Sequence, residues 1–343
     1  MNGKKILVTG GTGYIGSHTV VELQQAGYEV VIVDNLSNSE ADVVDRITEI
    51  TGNSPKFYKI DLTDSDALRE VFVKEKDIFS AIHFAAFKAV GESVEKPLMY
   101  YRNNLNSLIN LLDLSGEFKV KNVVFSSSCT VYGQPEKLPV TEQTPVIRPE
   151  SPYGNTKRIS EEVIQEFTIA HSGFNGIALR YFNPIGAHPS ALIGELPRGV
   201  PNNLVPFVTQ TAAGLRDQLK IFGDDYNTPD GTCIRDYINV VDLAKAHVAA
   251  ISRQVNGKMR NSFEVFNLGT GQGASVLDIV KGFEKATGKK LNYTMAERRL
   301  GDVEQIYANA SYAEKELNWK AEKTLEETLK SAWEWEKKLR NIE

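Results

Sequence analysis

The chain has 343 residues and a formal net charge of −5 at pH 7, with 41% hydrophobic and 24% charged residues. The length suggests about two domains, and the composition is ordinary for a globular enzyme. A slightly acidic chain is poorly suited to nucleic acid or an anionic membrane, because both attract a basic surface. Two cysteines, Cys129 and Cys233, cannot build a disulfide framework or a zinc site. Since there is no signal-peptide core and no apolar run of about 18 residues, we expect a cytoplasmic enzyme.

The first half of the chain alternates short β-branched runs with amphipathic helical stretches. Strands are predicted, in chain order, at 4–9, 29–33, 56–60, 78–84, 122–125 and 176–180. Helices are predicted at 14–26 and 64–74, and in the stretches that begin near Pro97 and Tyr153. Strands that alternate with helices of about 10–15 residues are typical of a parallel sheet covered on both faces. We therefore predict an α/β fold with a doubly wound parallel sheet of the Rossmann type.

The pattern changes after residue 182. Five prolines lie between residues 183 and 206, so we expect neither regular helix nor sheet there. Short regular pieces return at 219–223, 233–240 and 264–269, followed by a last helix near 324–339. We interpret the second half as a smaller, interleaved α/β lobe, because ligands commonly bind in a cleft between lobes. The predicted units are a nucleotide-binding domain, 1–182, and a substrate lobe, 183–343, some of whose segments return to the first domain.

Three glycines, Gly10, Gly13 and Gly16, lie between the first predicted strand and the first predicted helix. Such glycines allow a tight turn and let the backbone approach a pyrophosphate at the helix N-terminus. Asp34 ends the second strand, where a carboxylate accepts hydrogen bonds from the adenosine ribose and repels a 2′-phosphate. The spacing is G-x-x-G-x-x-G instead of the G-x-G-x-x-G of typical dehydrogenases. The pattern predicts a site for NAD in preference to NADP, the alternative being a chance glycine turn.

Tyr153 and Lys157 lie four residues apart at the start of a predicted helix and therefore share one helix face. The pKa of a free tyrosine is about 10, and a neighbouring ammonium lowers it by stabilising the phenolate. Such a tyrosine can take a proton from an alcohol while a hydride leaves the same carbon. The alternative is a tyrosine beside a solvated lysine. Downstream of a nucleotide site, we predict a catalytic pair.

Three serines, Ser126–Ser128, end the strand that begins at Asn122. A hydroxyl at the carboxyl end of a parallel strand faces the ligand crevice and can hydrogen-bond a reacting hydroxyl. The alternative for any one serine is that it satisfies loop backbone. Cys129 has no neighbouring base in the sequence and is predicted to be a buried structural thiol. The five histidines show no metal-ligand spacing, so no catalytic metal is predicted.

The glycine spacing and the Tyr153–Lys157 pair together resemble the extended short-chain dehydrogenase/reductase family. The resemblance selects Ser128 as the catalytic partner of these two residues and implies NAD as the cofactor. It also implies that Asp61 approaches the adenine, although Asp61 as a helix cap is an equally good interpretation. The residues that would contact NAD are Gly10, Gly13, Tyr14, Ile15, Gly16, Asp34, Asn35, Asn38, Ser39, Asp61, Leu62, Phe84, Ala85, Ala86, Lys88, Asn103, Tyr153, Lys157, Tyr181 and Phe182.

Longer strings in both halves resemble the UDP-glucose 4-epimerase branch of that family. They include FSSSCTVYG (125–133), SPYGNTK (151–157), LRYFNPIGAHPS (179–190), PNNLVP (201–206) and RRLGDVEQIYANAS (298–311). The resemblance implies a homodimer, formed through the helices that begin near Pro97 and Tyr153. It also implies a UDP-sugar substrate held by Lys88, Ser128, Tyr153, Asn183, Asn203, Leu204, Phe222, Arg235, Arg299, Asp302 and Ile306, with Tyr181 near them.

The chemistry of these side chains suits a nucleotide sugar. Arg235 and Arg299 can form charge-assisted bonds to a diphosphate, while Phe222 can pack on a uracil ring. Asp302 can accept hydrogen bonds from ribose hydroxyls. For either arginine, the alternative is a surface ion pair.

The resemblance implies interconversion of UDP-galactose and UDP-glucose by oxidation at carbon 4, rotation of the keto sugar and reduction on its other face. Two positions bear on the sugar accepted. Leu300 stands where the family often has an acid, and the size of residue 306, here Ile306, decides whether an N-acetyl group fits. Action mainly on UDP-N-acetylglucosamine and UDP-N-acetylgalactosamine is therefore an alternative.

Other functions remain open on the same fold. A nucleotide-sugar 4,6-dehydratase carries Asp-Glu after its catalytic Ser or Thr, where this chain has Cys129 and Thr130. A uronate epimerase or decarboxylase is a further alternative. A non-catalytic NAD-sensing regulator would be expected to lack the tyrosine or the lysine, and this chain has both.

Overall fold

A computed structural model describes residues 3–299 and 302–343 of the chain. The strands are β1 (Lys5–Thr9), β2 (Glu29–Asp34), β3 (Lys56–Lys59), β4 (Ile78–His83), β5 (Asn122–Ser128), β6 (Asn175–Tyr181), β7 (Asn183–Ile185), β8 (Leu219–Phe222), β9 (Ile234–Asn239), β10 (Phe263–Leu268), β11 (Gly273–Ser275), β12 (Tyr293–Ala296) and β13 (Gln305–Ile306). The helices are α1 (Tyr14–Gln25), α2 (Val43–Thr51), α3 (Ser65–Lys74), α4 (Val90–Glu95), α5 (Pro97–Glu117), α6 (Pro152–Ala170), α7 (Leu204–Ala212), α8 (Val240–Val255), α9 (Val276–Thr287), α10 (Ser311–Leu317) and α11 (Leu325–Arg340). A short 3-10 turn covers Cys129–Tyr132. Among the described residues, no helix is both long and apolar enough to cross a membrane.

A parallel sheet forms the centre of the fold. Within the described residues it has seven strands, in the order β10-β6-β5-β4-β1-β2-β3. This confirms the predicted doubly wound α/β fold. The strand order reverses between β1 and β4, and such a switch point opens a crevice at the carboxyl ends of the strands.

The apolar runs form strands because both faces of the sheet are covered. Ile6 and Val8 of β1 face a cluster that includes residues of α1 and α8. Leu7, between them, faces the opposite cluster with Leu68 and Leu111, from α3 and α5. Burying one such aliphatic side chain stabilises the fold by about 1.5–3 kcal/mol. A strand buried on both faces shows no polar alternation, as the sequence of β1 predicts.

The chain after residue 182 contributes both to the large sheet with its covering helices and to a separate group of small sheets and helices. β10 pairs with β6 in the large sheet, and α8 packs on α1. A smaller sheet contains β11, β9 and β13, with β7 also paired to β9, while β12 pairs with β8. α7, α9 and α11 cover a second apolar cluster beside these small sheets. The second half is thus interleaved with the first.

The expectation that residues 183–206 contain no regular structure is wrong at both ends. Asn183–Ile185 forms β7, where Pro184 is tolerated because the strand lies at a sheet edge. α7 begins at Leu204, and Pro206 lies in its first turn, where a missing N–H breaks no intrahelical bond.

Candidate active site

Several strand ends that the sequence singled out meet at one edge of the large sheet. Ser128, the last residue of β5, pairs in register with Tyr181, the last residue of β6. Thr9 of β1 pairs with His83 of β4, and the glycine turn and Phe84 follow directly. The predicted nucleotide turn and the predicted catalytic serine therefore open on the same crevice.

The turn between β1 and α1 accepts only glycine at two positions. Gly10 has a φ of +71°, and a Cβ atom there would lie 2.8 Å from the backbone nitrogen of Ala85. A Cβ atom on Gly16 would lie 2.1 Å from the carbonyl oxygen of Gly10. Gly13 is the N-cap of α1 and brings no side-chain oxygen to its first amides. The cradle fits a pyrophosphate, because these amides and the helix dipole favour negative charge.

Asp34 organises the loop that would receive the adenosine. Its Oδ2 accepts a hydrogen bond from the Thr12 amide at 3.2 Å, and its Oδ1 accepts one from the Leu36 amide at 2.9 Å. Ser39 donates to Oδ1 and also bonds the Thr12 hydroxyl. The carboxylate thus ties the glycine turn to the end of β2, next to the positions predicted to contact the ribose.

Asp61 belongs to this loop and does not cap a helix. It accepts a hydrogen bond from Asn35 Nδ2 at 2.8 Å and two more from Thr63. The N-cap of α3 is Asp64, which accepts from the Ala67 amide at 3.0 Å. The helix-cap interpretation of Asp61 is therefore wrong, because the helix begins one turn later than that reading requires.

Tyr153, Lys157 and Ser128 come together where α6 crosses the end of β5. Ser151 caps α6 by accepting from the Gly154 amide at 3.1 Å, which places Tyr153 in the first turn. Lys157 Nζ donates to the carbonyl oxygen of Ser126 at 2.6 Å and lies 5.9 Å from the centre of the Tyr153 ring. The Ser128 side chain lies close enough to the Tyr153 phenol to lower its pKa. The geometry supplies a proton acceptor, a hydroxyl partner and a cation.

Burial governs the pKa values of this group. Burial raises the pKa of Tyr153 well above its usual value and Tyr181 raises it further, while the Ser128 side chain lowers it. Burial lowers the pKa of Lys157 to about 7, and the charge of Glu161 opposes this change. The expectation of a lowered Tyr153 pKa is wrong for the chain by itself, because desolvation of the phenolate outweighs the favourable contacts.

Ser126 was missed by the sequence reasoning. Its carbonyl holds Lys157, and its hydroxyl hydrogen-bonds the hydroxyl of Tyr181. The three-serine strand end was the available signal, but period-2 alternation alone does not show which serine reaches which partner.

Within the described residues, no group of three or more Cys, His, Asp or Glu side chains is placed to hold a metal ion. Cys129 is buried, and burial raises the pKa of its thiol to about 12, so the thiol stays protonated. His83 is buried beside the Thr9 hydroxyl, and burial lowers its pKa to about 3. Both groups are neutral at pH 7.

The predicted diphosphate residues converge in the second lobe. Arg299 Nη2 lies 2.9 Å and Arg235 Nη2 lies 4.0 Å from Oδ1 of Asp302. The Arg299 guanidinium lies 5.8 Å from the centre of the Phe222 ring, which is partly exposed. Ile306 of β13 pairs with Arg235 of β9 and is buried against Cys129 and its neighbours. Both arginines therefore form the ion pair with an acidic residue that the alternative interpretation expects. Arg299 also lies beside the exposed ring of Phe222.

A carboxylate that the sequence did not single out lies between two predicted substrate residues. Glu195 Oε1 accepts from Asn203 Nδ2 at 2.6 Å and lies 3.3 Å from Lys88 Nζ. Glu195 was missed because it stands in the proline-rich stretch, far from Lys88 in sequence. Asn183 lies in β7, and Leu204 begins α7 directly after Asn203.

The other predicted contact residues lie around the same crevice or beneath it. Tyr14 donates its hydroxyl to the carbonyl oxygen of Gly186 at 2.6 Å, which links α1 to the second lobe. Leu62 and Phe182 are buried in apolar clusters. Ile15, Phe84, Ala85, Ala86 and Asn38 are partly exposed at the crevice, and Asn103 donates to Asn104 Oδ1. Leu300 lies outside the described residues.

Comparisons with known proteins agree with this geometry. A family model described as GDP-mannose 4,6 dehydratase matches residues 7–332. UDP-glucose 4-epimerase 2 of Arabidopsis thaliana is 51% identical over 335 residues, or 97% of this chain and 95% of the relative. UDP-glucose 4-epimerase of Bacillus subtilis (strain 168) is 50% identical over 331 residues, covering 96% of each chain.

Solved structures give the same assignment. The UDP-glucose 4-epimerase from Bifidobacterium longum, in complex with NAD+ and UDP, superposes with a TM-score of 0.94 at 46% identity, over 99% of this chain and 100% of that one. The chain belongs to the extended short-chain dehydrogenase/reductase family and, within it, to the UDP-glucose 4-epimerases.

The glycine cradle can be tested with Gly16→Ala. The added Cβ would meet the Gly10 carbonyl, so α1 must move away from the turn, and we expect at least about a 100-fold loss of NAD affinity. The affinity is measured by calorimetric titration of NAD into protein stripped of nucleotide. Gly91→Ala is the control, because its Cβ would meet nothing within 4 Å. Unchanged affinity in Gly16→Ala would show that the phosphates bind elsewhere.

Proposed function

We propose that this protein interconverts UDP-galactose and UDP-glucose by NAD-dependent oxidation at carbon 4, rotation of the 4-keto sugar and re-reduction. The observation that carries the proposal is the meeting of Tyr153, Lys157 and Ser128 beside the glycine cradle, at a crevice shared with the second lobe. Membership of the UDP-glucose 4-epimerases supports it.

NAD is the cofactor, and we assign its binding to the first lobe, residues 1–182. The turn at Gly10, Gly13 and Gly16 would take the pyrophosphate, while Asp34 and Asp61 face the adenosine. When bound, NAD supplies a positively charged ring and reversible hydride transfer at carbon 4. Lys157 would hold the nicotinamide ribose from α6.

Tyr153 acts as the acid and base in this proposal. Its phenol oxygen takes the proton from the hydroxyl on carbon 4 and later gives it back. Ser128, which lies near the phenol, would hydrogen-bond the reacting hydroxyl and so keep it aligned with Tyr153. The Lys157 ammonium, near the Tyr153 ring, offsets the cost of forming a phenolate in a buried site.

The second lobe, residues 183–343, would hold the UDP part while the sugar turns. Arg235 and Arg299 form charge-assisted bonds to the diphosphate, and Phe222 packs on the uracil ring. Asp302 keeps the two guanidinium groups together. Because these contacts hold the nucleotide and not the hexose, the 4-keto sugar can present either face to the cofactor.

Two of the alternative functions fit the residues of the site less well. Water elimination by a dehydratase requires an added acid/base pair, and the positions after Ser128 hold a protonated, buried Cys129 and Thr130. A regulator without catalysis would not require the buried Tyr153–Lys157 arrangement.

Two free cysteines, Cys129 and Cys233, support a reducing location, and we infer the cytoplasm.

Tyr153→Phe tests the reaction. The variant lacks the proton acceptor, and we expect turnover to fall by about 10²–10⁴-fold while folding and NAD binding are retained. Proton NMR of purified protein with UDP-galactose measures the reaction, through the growth of UDP-glucose to a stable mixture. Tyr293→Phe, on the partly exposed strand β12, is the matched control and should keep full turnover. A parent protein that forms no UDP-glucose, even with NAD added, would refute the proposal.

Ile306 is proposed to limit the sugar at carbon 2, and UDP-glucose and UDP-galactose to be the main substrates. The side chain is buried beside Cys129, one residue from Ser128, and is larger than the small residues that admit an N-acetyl group in this family.

Ile306→Ala should therefore raise kcat/KM for UDP-N-acetylglucosamine relative to UDP-glucose by about 10-fold. Coupled assays with the two substrates measure the ratio. The substitution should also cost about 2–5 kcal/mol of stability, so Ile279→Ala, in the separate apolar cluster of the second lobe, is the control. If both variants change the ratio equally, Ile306 has no role in specificity.

A homodimer through α5 and α6 is also proposed. Ile109 and Leu112 of α5 and Val163, Phe167 and Ala170 of α6 line a largely apolar groove, to which Asp113 and Glu166 add two carboxylates. An apolar groove between adjacent helices is typical of a helix–helix interface between subunits.

Ile109→Glu should convert the dimer to monomers, because it places a charge on this groove; Ile109 is 48% exposed in the single chain. Light scattering after size-exclusion chromatography measures the mass. Leu215→Glu, at a residue that is 53% exposed and far from the groove in sequence, should remain dimeric. A parent protein that elutes as a monomer would contradict the proposed interface.

A further inference from the structure

A buried ion pair lies one helical turn beyond the catalytic lysine. Arg180 Nη2 lies 2.5 Å from Glu161 Oε2, and Arg180 Nε donates to Glu161 Oε1 at 2.9 Å. The two side chains are only 6% and 7% exposed. A buried pair of this kind adds little net stability, because desolvation of both ions offsets their attraction. Its position next to the catalytic group therefore calls for another reason.

The ion pair contacts the elements that carry Lys157 and Ser128. Glu161 follows Lys157 by four residues on α6, so the two side chains share one helix face. Ser127, which precedes Ser128, donates its hydroxyl to Glu161 Oε1 at 2.5 Å. Arg180 donates to the Tyr132 hydroxyl at 3.0 Å, in the turn that follows Ser128. The pair thus fixes both the helix that carries the lysine and the strand end that carries the serine.

Glu161 and Arg180 are the charged pair in the interior around Lys157, and the partly buried Glu142 interacts with Arg180 from the loop before α6. Burial holds the nearby Tyr181, Cys129, Tyr132 and Tyr100 as neutral acids and His83 as a neutral base at pH 7. The charges on α6 and on the other elements that pack against it are either paired or exposed to water. The paired ones are Glu92 with Lys96 on α4, Glu117 of α5 with Arg69, Glu264 with Arg253 on β10, and Arg158 with Glu162 on α6 itself. Arg102 and Asp113 of α5 and Glu166 of α6 are exposed, so water screens their charges.

We propose that Glu161 and Arg180 are positioning residues that balance the charge felt by the Lys157 ammonium and so set the pH range in which the Tyr153–Lys157 pair exchanges protons. Glu161 supplies the negative charge that keeps a desolvated ammonium charged, and Arg180 limits that effect. Removing Glu161 alone leaves the positive charge of Arg180 near Lys157, and removing Arg180 alone leaves the negative charge of Glu161. The inference rests on the proposed epimerase function, and it predicts opposite effects for the two substitutions.

The test follows Lys157 directly in the full-length protein saturated with NAD. Lysines are labelled with ¹³C at Cε, the Lys157 signal is assigned by its loss in Lys157→Met, and its pKa is read from an NMR titration. Glu161→Gln should lower this pKa by about one pH unit, and Arg180→Met should raise it by about the same amount. The double variant Glu161→Gln/Arg180→Met should return it close to the parent value.

Two further variants separate charge from structure. Glu161→Asp keeps the charge and should keep the Lys157 pKa near that of the parent, even if it destabilises the fold. Glu264→Gln breaks a second buried pair, Arg253–Glu264, whose side chains are 4% and 2% exposed, and should leave Lys157 unchanged. The pH profile of kcat/KM should move in the same direction as the Lys157 pKa in each variant.

The outcomes are distinct. If both single variants move the Lys157 pKa in one direction, or neither moves it, the charge-balance role is overturned whether or not the parent epimerises UDP-galactose. If Glu161→Asp behaves like Glu161→Gln, the role is structural and the inference again fails. A parent that responds as expected in the NMR titration but forms no UDP-glucose would refute the proposed function instead.

Discussion

The parallel pairing of β5 with both β4 and β6 is the constraint on which the candidate site depends. Because the three strands run in one direction, His83, Ser128 and Tyr181 all end at the same edge. α6 packs against β5, and its Ile164 is buried with apolar residues of α5 and β5. Lys157 of the same helix donates a hydrogen bond to the Ser126 carbonyl oxygen of β5. A register shift of one residue would turn Ser128 to the opposite face and separate it from Tyr153.

A second constraint orders the lobe formed by residues 183–343. Asp236, next to Arg235 in β9, is fully buried and accepts hydrogen bonds from the amides of Thr270, Gly271 and Ala308. Burial raises its pKa, while these hydrogen bonds oppose that change. One carboxylate therefore ties the strand that carries Arg235 to the segments on either side of it. A Cβ on Gly269 would lie only 2.4 Å from this carboxylate, which shows how closely the chain passes.

The two halves of the site differ in their exposure to water, and the difference suits their chemistry. Around Tyr153 and Lys157, burial penalises every charge, so a proton can move between groups without a large solvent rearrangement. Arg299, by contrast, is 59% exposed, and a diphosphate can reach it from solution. In the proposed reaction, a buried reacting centre beside a solvent-exposed binding site would allow the nucleotide to stay bound while the sugar changes its orientation.

By itself, the sequence determined the features that depend on near neighbours. The strands β1–β6, the glycine turn and the shared face of Tyr153 and Lys157 follow from local periodicity and backbone sterics. Tertiary structure alone decided that Glu195 meets Lys88, that Ser126 holds Lys157 and that Arg180 pairs with Glu161. These contacts join distant parts of the chain, so they depend on how helices and strands pack together. The same packing raises the pKa of Tyr153, since desolvation is a property of the whole surrounding interior.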